Sequence, residues 1–399
     1  MNTAALQLIP AYQPFVNVYS GLIDGYEALA REQHGQELRS AGYLFSDPSV
    51  PQQTKLKFDQ QLREQAFSLW SAKQHPEFLS INLPPGYAAA DDPSHSALLQ
   101  QLERTGFNPG QLVIELTESA AESDQVQAIA RHYRRAGALV AIDDFGSENS
   151  QIERVLASRP NWLKLDMRFF QSARSSQLHK DVIHGIRYVV ERNKINLICE
   201  GIETEEEALL AIDFGSTLLQ GFLFAPASTE HLPRDHFKWM ITALRERYLT
   251  KKAFSIRLQE RRLQQLKRLM GAFPNFTDES TLVQWPAKQL HNLGVLRMYI
   301  VEPTGLQAQG NFDVHPHTIE VDNSACGQNW SCRPWFAQLV VQCELYNSVS
   351  ASDFYRDIQT SKFCRTMARP LEDGRLLLID AEADDLQFDI DHEARQKLR

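Results

Sequence analysis

This sequence lacks three features that mark membrane, disulfide-bonded or metal-binding, and secreted proteins. No run of about 18 apolar residues occurs in the 399-residue chain, so a membrane-spanning helix is not expected. The five cysteines include no C-x-x-C pair, as is usual for reduced thiols in the cytosol. The first residues also lack the basic and apolar regions of a signal peptide. We therefore predict a cytoplasmic protein with no membrane span.

Positive charge is in short supply as well. The chain has 41 lysines and arginines against 50 acidic residues, which gives a formal net charge of -9. Sequence-independent binding to DNA or RNA requires a positive surface, so no DNA partner is expected, whereas nucleotides are not excluded. The hydrophobic share of 43% is typical of a folded globular protein. The length predicts two domains, or one large barrel with an appendage.

Short apolar strands alternate with helical segments up to about residue 228. The predicted strands run from Leu8 to Val18, Phe78 to Leu83, Leu112 to Leu116, Leu139 to Ile142, Trp162 to Leu165, Asn196 to Cys199 and Leu218 to Phe224. Strand-helix units thus repeat at intervals of about 20 to 35 residues. This repetition predicts a parallel sheet covered by helices, which is either doubly wound or closed into a (β/α)8 barrel.

The residues that end these strands distinguish the two folds. Nearly every strand ends in charged or amide residues, namely Glu27, Asn82, Glu115 with Glu118, Asp143 with Asp144, Lys164 with Asp166, Glu200 with Glu203, and Gln220. In a barrel all these strand ends converge on one face, where barrel active sites are built. An open sheet would spread them along an edge. We therefore predict an α/β protein with a TIM-like barrel and a composite acidic site.

The pattern changes after the barrel segment. A long, basic helical stretch follows, and from about residue 282 alternating strands and tight turns predict a small antiparallel α+β module. We predict three parts: a barrel at 1–230, a helical linker at 231–281 and an α+β domain at 282–399. Within the last part, Trp330, Arg333, Pro334, Trp335 and Phe336 form an aromatic cluster with one arginine. Packed core and ligand pocket are both open interpretations.

The acid pair Asp143-Asp144 follows an apolar strand, and two buried carboxylates need a cation to offset their desolvation. A simple Asp-Asp turn that caps a helix is the alternative. Together with Glu27, Glu115 and Glu200 the pair supplies hard oxygen ligands, which suit Mg²⁺ or Mn²⁺. So many carboxylates favour two ions about 3.5 to 4 Å apart, as in phosphate-ester hydrolysis. Lys164 would orient the attacking water or stabilise charge, or would serve only as a counter-ion.

An ordered set of motifs resembles the EAL domain family of cyclic di-GMP phosphodiesterases. The set consists of Tyr12-Gln13-Pro14, Tyr26-Glu27-Ala28-Leu29-Ala30-Arg31, Ser80-Ile81-Asn82-Leu83, Glu115-Leu116-Thr117-Glu118-Ser119, Asp143-Asp144-Phe145-Gly146, Leu163-Lys164-Leu165-Asp166, Glu200-Gly201-Ile202-Glu203-Thr204 and Gln220-Gly221-Phe222. The resemblance spans about residues 7 to 228. A lone E-A-L triplet would carry no information, whereas this ordered series is specific.

The resemblance implies a barrel whose first strand can run antiparallel and which cuts cyclic di-GMP to linear pGpG. It implies metal ligation by Glu27, Asn82, Glu115 and Asp143 for one ion, and by Asp143, Asp144 and Glu200 for the second. It implies catalysis by Lys164 with Glu27 and Glu200, substrate contacts by Gln13, Arg31 and Gln220, and supporting roles for Glu118 and Glu203. Members of the family commonly pair through this domain, so a homodimer is expected.

One segment departs from the family pattern. Active members usually continue the two aspartates with F-G-T-G-Y, whereas this chain has Glu148 and Asn149 in the last two positions. Losing the glycine and the aromatic anchor predicts weaker positioning of the second metal. Two hypotheses follow: a weak or gated phosphodiesterase, or a catalytically silent cyclic di-GMP receptor. The layout also resembles two-domain YkuI-type proteins, which implies a PAS-like C-terminal domain that takes an unknown small-molecule or protein signal.

Overall fold

The computed structural model describes residues 7–35, 37–73, 75–83, 97–117, 123–147, 152–274 and 279–383. The chain divides into two compact units, Met1–Leu249 and Thr250–Arg399. Among the helices in these ranges, none is both long and apolar enough to cross a membrane.

The first unit alternates strands and helices. Its strands are β1 Leu8–Asn17, β2 Ile23–His34, β3 Glu37–Ser40, β4 Phe78–Leu83, β5 Leu112–Thr117, β6 Leu139–Phe145, β7 Trp162–Leu165, β8 Asn196–Cys199 and β9 Leu218–Leu219. Its helices are α1 Tyr43–Ser46, α2 Gln52–Lys73, α3 Ala97–Thr105, α4 Ser123–Arg135, α5 Ile152–Ser158, α6 Met167–Ser172, α7 Gln177–Arg192 and α8 Glu205–Asp213. The 35-residue helix α9, Lys238–Ala272, begins in this unit.

The strands close into a barrel. Their order is β1-β9-β8-β7-β6-β5-β4-β2, and a further pairing of β1 with β2 joins the two ends, while β3 extends β2 as a hairpin. Strands β2 and β4 to β9 pair in parallel around the barrel, whereas β1 runs antiparallel to both of its neighbours and β3 runs antiparallel to β2. The predicted TIM-like barrel is confirmed, including its antiparallel first strand, and the open doubly wound sheet is excluded.

Two strand boundaries differ from the sequence-based expectation. Glu27 lies inside the 12-residue strand β2, which pairs with β1 over almost its whole length, so Glu27 does not end a strand. Strand β9 stops at Leu219 rather than Phe224. Beyond it the backbone of Gly221 packs against the backbone of Ile202, and this close approach turns the chain away from the sheet.

An apolar layer fills the barrel below its polar end. Phe15, Ile198 and Leu218 form a buried cluster, and Phe78 and Trp162 pack against it. These side chains come from strands on different sides of the barrel, so their burial ties the strands together through the interior. The polar residues are thereby confined to one end of the barrel.

The second unit is built around an antiparallel sheet. Its elements are α10 Glu279–Val283, α11 Ala287–Asn292, β10 Val295–Val301, β11 Asn311–Val314, β12 Ile319–Asp322, α12 Phe336–Tyr346, β13 Ser350–Ala351, β14 Tyr355–Arg356, β15 Phe363–Pro370 and β16 Leu376–Glu382. The sheet order is β12-β11-β10-β16-β15-β13, with β14 beside β15. One face packs against the C-terminal half of α9, with Leu263, Leu266 and Met270. The other packs against α12, with Phe336 and Leu339.

The close approach at Gly221 yields a stability prediction. A Cβ atom added there would lie 2.1 Å from the carbonyl oxygen of Ile202, so the loops after β8 and β9 would have to separate. We expect Gly221→Ala to lower the free energy of unfolding by about 1–3 kcal/mol, measured by urea denaturation. The matched control is Gly185→Ala on α7, where a Cβ has nothing within 4 Å and should stabilise by about 0.5–1 kcal/mol. Equal stability of the two variants would contradict the packing at Gly221.

Candidate active site

One buried lysine gathers four carboxylates at the polar end of the barrel. The Nζ atom of Lys164, on β7, lies 2.6 Å from Glu115 Oε2, 2.5 Å from Glu200 Oε1, 3.3 Å from Asp143 Oδ1 and 3.6 Å from Glu27 Oε2. Lys164 and Glu115 are each 1% exposed. The contact with Glu200 is an ion pair without the alignment of a hydrogen bond. The five charged groups therefore form a single electrostatic cluster.

The register of the parallel strands brings these side chains together. Asn82 on β4 stands directly beside Glu115 on β5, and Glu27 on β2 stands beside Ser80 on β4. Since alternate residues of a strand point to the same side, Ser80 and Asn82 both face the barrel interior. Strand pairing thus places Glu27, Asn82, Glu115, Asp143 and Lys164, while Glu200 and Gln220 lie one residue beyond the ends of β8 and β9.

Neutral side chains orient the carboxylates. The Nδ2 atom of Asn82 donates to Glu27 Oε1 at 2.8 Å, and Gln220 Nε2 donates to Glu27 Oε2 at 3.0 Å. Ser80 Oγ donates to Glu115 Oε1 at 2.6 Å. The amide nitrogens of Asn82 and Gln220 both point toward Glu27. The Oδ1 atom of Asn82 therefore remains available to accept from, or coordinate, a further partner.

Burial and mutual repulsion shift the protonation of the cluster. Burial raises the pKa of Glu115 well above its usual value and the charge of Glu27 adds to this, while Lys164 opposes it. Burial likewise raises the pKa of Glu200 to about 8, against the influence of Lys164. Burial by itself would lower the pKa of the Lys164 ammonium. The attraction of Asp143 and of the other three acidic side chains is larger, so the pKa is raised. Lys164 is therefore a permanent cation at neutral pH.

The two adjacent aspartates point in different directions. The side chain of Asp143 is buried and lies next to Lys164, whereas that of Asp144 is exposed. Asp144 has a φ of 57°, in the left-handed region that aspartate tolerates better than most residues, and its backbone N–H donates to Asp143 Oδ1 at 2.8 Å. Burial, together with the charge of Asp143, raises the pKa of Asp144. Within the pair, only Asp143 belongs to the lysine cluster.

The donor set suits a divalent cation. Four acidic side chains surround one ammonium, and burial with mutual repulsion raises the pKa of two of them, Glu115 and Glu200, so a further cation would favour their ionised forms. Their oxygens are ligands of the kind that Mg²⁺, Mn²⁺ and Ca²⁺ prefer. In the described ranges, however, no three acidic, histidine or cysteine side chains are already arranged as a metal site. The carboxylates are turned toward Lys164 instead. The residues fit a metal in chemistry and charge, and binding requires the carboxylates to turn away from the ammonium.

The predicted substrate contacts lie at the edge of the cluster. Gln13 donates through Nε2 to the carbonyl oxygen of Ala225 at 3.1 Å. Arg31 is half-buried, and burial lowers the pKa of its guanidinium while the charge of Glu27 opposes this. Arg31 and Asn82 both line a cavity of about 290 Å³, whose other walls include Phe45 and Leu62.

Two predicted positions lie apart from the lysine cluster, and a third is not among the described residues. The side chain of Glu203 is exposed, and its backbone N–H donates to Glu207 Oε2 at 2.8 Å. Asp166 accepts from the backbone N–H groups of Arg168 and Phe169 and so caps α6. Glu118 lies outside the described residues, as do the altered positions 148 and 149.

Two residues of the site were missed by sequence reasoning. Ser80 holds Glu115, and the ring of Phe15 lies below Lys164, with its centroid 5.8 Å from Nζ. Both were detectable from strand periodicity, because Ser80 precedes Asn82 by two residues and Phe15 follows Gln13 by two.

The cluster predicts that Lys164 supports the fold when no metal is bound. Without divalent cations we expect Lys164→Met to lose about 3–5 kcal/mol of unfolding free energy, since buried carboxylates are left without a counter-ion. Adding Mg²⁺ or Mn²⁺ should recover part of the loss. Lys57→Met, at an exposed position of α2, is the control and should change stability by less than about 0.5 kcal/mol. A metal-free Lys164→Met protein as stable as the wild type would refute the electrostatic role.

Comparison with known proteins places this geometry in context. The model of the EAL domain matches residues 2–227, and that of the EAL-domain associated signalling protein domain matches residues 229–393. The uncharacterized EAL-domain containing protein YkuI of Bacillus subtilis is 25% identical over 94% of each chain. The probable cyclic di-GMP phosphodiesterase PdeD of Escherichia coli is 30% identical over 57% of this chain, which spans only 42% of its length.

Solved structures agree with the fold. The crystal structure of B. subtilis YkuI, in complex with cyclic di-GMP and calcium, has a TM-score of 0.83 and 23% identity, covering 94% of this chain and 96% of its own. A standalone EAL protein of Vibrio cholerae, in its cyclic di-GMP-bound form, has a TM-score of 0.50 and 28% identity over 57% of this chain and 95% of its own. A barrel with the ordered motifs, followed by the associated domain, is the layout of YkuI. The chain belongs to the EAL domain family.

Proposed function

We propose that this protein is a metal-dependent phosphodiesterase that hydrolyses cyclic di-GMP to linear pGpG. The observation that carries the proposal is the convergence of Glu27, Glu115, Asp143 and Glu200 on Lys164 at one end of an EAL barrel. Relatives named as cyclic di-GMP phosphodiesterases, PdeD and PdeL of E. coli, support the reaction. Related EAL structures with cyclic di-GMP and calcium or manganese support a divalent metal.

The metal ligands follow from the donor set. In this proposal Glu27, Asn82, Glu115 and Asp143 hold one Mg²⁺ or Mn²⁺ ion, and Asp143, Asp144 and Glu200 hold a second. Divalent cations held there supply Lewis-acid polarisation of a phosphoryl oxygen. Binding of the second ion depends most on Asp144, whose backbone is left-handed and whose side chain is exposed. Its carboxylate must be held toward Asp143 for the two aspartates to share an ion.

Lys164 acts as a donor rather than a base in this scheme. Its ammonium Nζ lies within 4.0 Å of four proposed ligand side chains, Glu27, Glu115, Asp143 and Glu200, so it is placed next to any water held with the metals. It can donate hydrogen bonds to the attacking water or to a phosphoryl oxygen that gains charge. Glu27 is held by two amide donors, from Asn82 and Gln220, and these fix the orientation of its carboxylate.

The cavity beside the cluster fits the remaining parts of the substrate. Cyclic di-GMP combines flat bases with anionic phosphates. The cavity of about 290 Å³ offers apolar walls from Phe45, Leu62 and Ala66 for a base, and Arg31 for a phosphate oxygen. Gln13 lies opposite Glu27 in the pairing of β1 with β2, so its amide is also available to substrate near the carboxylates.

A catalytically silent cyclic di-GMP receptor is the second candidate. It is favoured by the sequence departures at Glu148 and Asn149, in the segment that follows the acid pair Asp143-Asp144. We further propose that the protein acts in the cytoplasm as a homodimer through its EAL domain. Its C-terminal unit, proposed to be PAS-like, would gate the activity, with domain boundaries near residues 230 and 281.

The first test is turnover of cyclic di-GMP by the full chain with Mg²⁺ or Mn²⁺, followed by chromatographic detection of pGpG. Glu27→Ala removes a metal ligand and should lower the rate by about a hundredfold or more. Glu103→Gln, an exposed change on α3, should leave the rate unaltered. The enzymatic proposal would be refuted if no pGpG formed with Mg²⁺ and none formed with Mn²⁺. If calorimetry also showed no binding of cyclic di-GMP, the receptor proposal would be refuted as well.

The second test separates the two candidates at the altered loop. The double change Glu148→Gly with Asn149→Tyr restores the family pattern. If the protein is an enzyme whose turnover rate is limited by weak positioning of the second metal, we expect the double variant to turn over about a hundredfold faster. A variant that still binds cyclic di-GMP yet yields no pGpG would favour the receptor.

A further inference from the structure

A polar cavity lies within the C-terminal unit. It has a volume of about 180 Å³ and lies on the face of the sheet that also packs against α12. Its walls include the rings of Tyr299, Trp330, Trp335 and Tyr355, of which Trp335 and Tyr355 are stacked with centroids 5.5 Å apart. The aromatic cluster singled out in the sequence therefore serves in both ways: Trp335 and Phe336 are part of the buried core under α12, and Trp330, Arg333 and Trp335 also line the cavity.

Among the described residues, two buried donors just before α12, and also Arg297 Nε on the sheet side, line the cavity without a hydrogen-bond partner. The indole Nε1 of Trp335 and the guanidinium Nε of Arg333 are buried and make no hydrogen bond to any described residue. By contrast, the indole Nε1 of Trp330 donates to Gln307 Oε1 at 2.7 Å. Because a buried donor without an acceptor costs about 1–3 kcal/mol, the two free donors point to an acceptor that comes from outside the protein.

Carboxylates outnumber cations on the sheet side of the cavity. Arg297 makes a bidentate pair with Asp357, at 3.1 and 2.8 Å, and also lies 3.8 Å from Asp313 and 4.0 Å from Asp380. One guanidinium thus faces three acidic side chains. Arg297 is buried, as are Asp357 and Asp380. This side of the cavity can accommodate an additional positive charge.

Asp380 has an oxygen available for such a charge. Its Oδ1 atom accepts from Tyr299 at 3.1 Å, from Tyr355 at 3.2 Å and from Thr366 at 2.8 Å. Among the described residues no hydrogen bond to its Oδ2 atom is formed, and the ion pair of Oδ2 with Arg297, at 4.0 Å, is beyond hydrogen-bond distance. Burial raises the pKa of Asp380, against the influence of Arg297, as expected for a carboxylate whose charge is incompletely compensated.

We propose that this cavity binds a free α-amino acid. The carboxylate of the ligand accepts hydrogen bonds from Trp335 Nε1 and Arg333, and its ammonium group donates to Asp380 Oδ2. The rings of Trp330 and Tyr355 provide apolar and cation–π contacts for the rest of the molecule. The volume lies below the roughly 300 Å³ at which pockets for drug-sized ligands begin, so the ligand is small.

The binding test uses the full-length protein and isothermal titration calorimetry with each of the twenty common α-amino acids. At least one should bind. For that amino acid, the amine lacking the carboxylate and the acid lacking the amine should each bind about tenfold more weakly or worse, because each leaves one set of buried groups unpaired. The proposal would be overturned if none of the twenty amino acids gave a heat of binding. It would also be overturned if an analogue with only one charged group bound as tightly as the amino acid itself.

Conservative variants locate the site. Trp335→Phe keeps the ring and removes the indole N–H, and Asp380→Asn removes the negative charge. Each should weaken binding about tenfold or more while leaving the circular dichroism spectrum unchanged. The matched control is Trp285→Phe, which packs on the opposite face of the sheet and should bind as the wild type does. Unchanged affinity in a folded Trp335→Phe protein would exclude this cavity, and this variant decides the outcome if Asp380→Asn does not fold.

Discussion

The barrel site depends on the interaction of one buried ammonium with four carboxylates. Lys164 lies within 4.0 Å of all four, and it makes their burial tolerable because isolated buried charges would each cost several kcal/mol. The strand register, the amide donors on Glu27 and the hydroxyl on Glu115 all act on this same cluster. Any metal that enters must compete with Lys164 for these oxygens, so metal affinity and the position of the lysine are coupled.

The two units share one electrostatic arrangement, in which a single buried cation is surrounded by several acidic side chains. In the barrel, Lys164 faces four carboxylates, and in the C-terminal sheet, Arg297 faces three. Each fixed cation allows acidic side chains to be buried together, yet leaves negative charge uncompensated. In the two proposals, divalent cations with oxygen ligands would offset the excess in the barrel, and an organic ammonium would offset it in the C-terminal cavity, where aromatic rings and unpaired N–H donors of Arg333 and Trp335 lie close by.

The sequence predicted the barrel and most of the cluster, because parallel strands bring their carboxyl ends to one face whatever the intervening loops do. The repeat of strands was therefore enough to predict that Asn82, Glu115, Asp143 and Lys164 share one face of the barrel. It did not reveal that the carboxylates gather on Lys164, since side-chain orientation depends on burial and on neighbours such as Ser80. Nor did it distinguish packed core from pocket around Trp335, because that distinction depends on whether one indole N–H finds a partner within the fold.

The reversed direction of β1 leaves one sector of the barrel's polar face without a strand-to-helix loop. Leu8 pairs with Glu32, beyond Glu27 in the direction of the site, whereas Val16 pairs with Ile23 at the opposite end. The hairpin that joins β1 to β2 therefore lies on the face away from Lys164, and the start of β1 lies on the face that carries it. A tag or fusion partner attached before Leu8 would consequently begin beside the mouth of the site, where it can obstruct ligand entry.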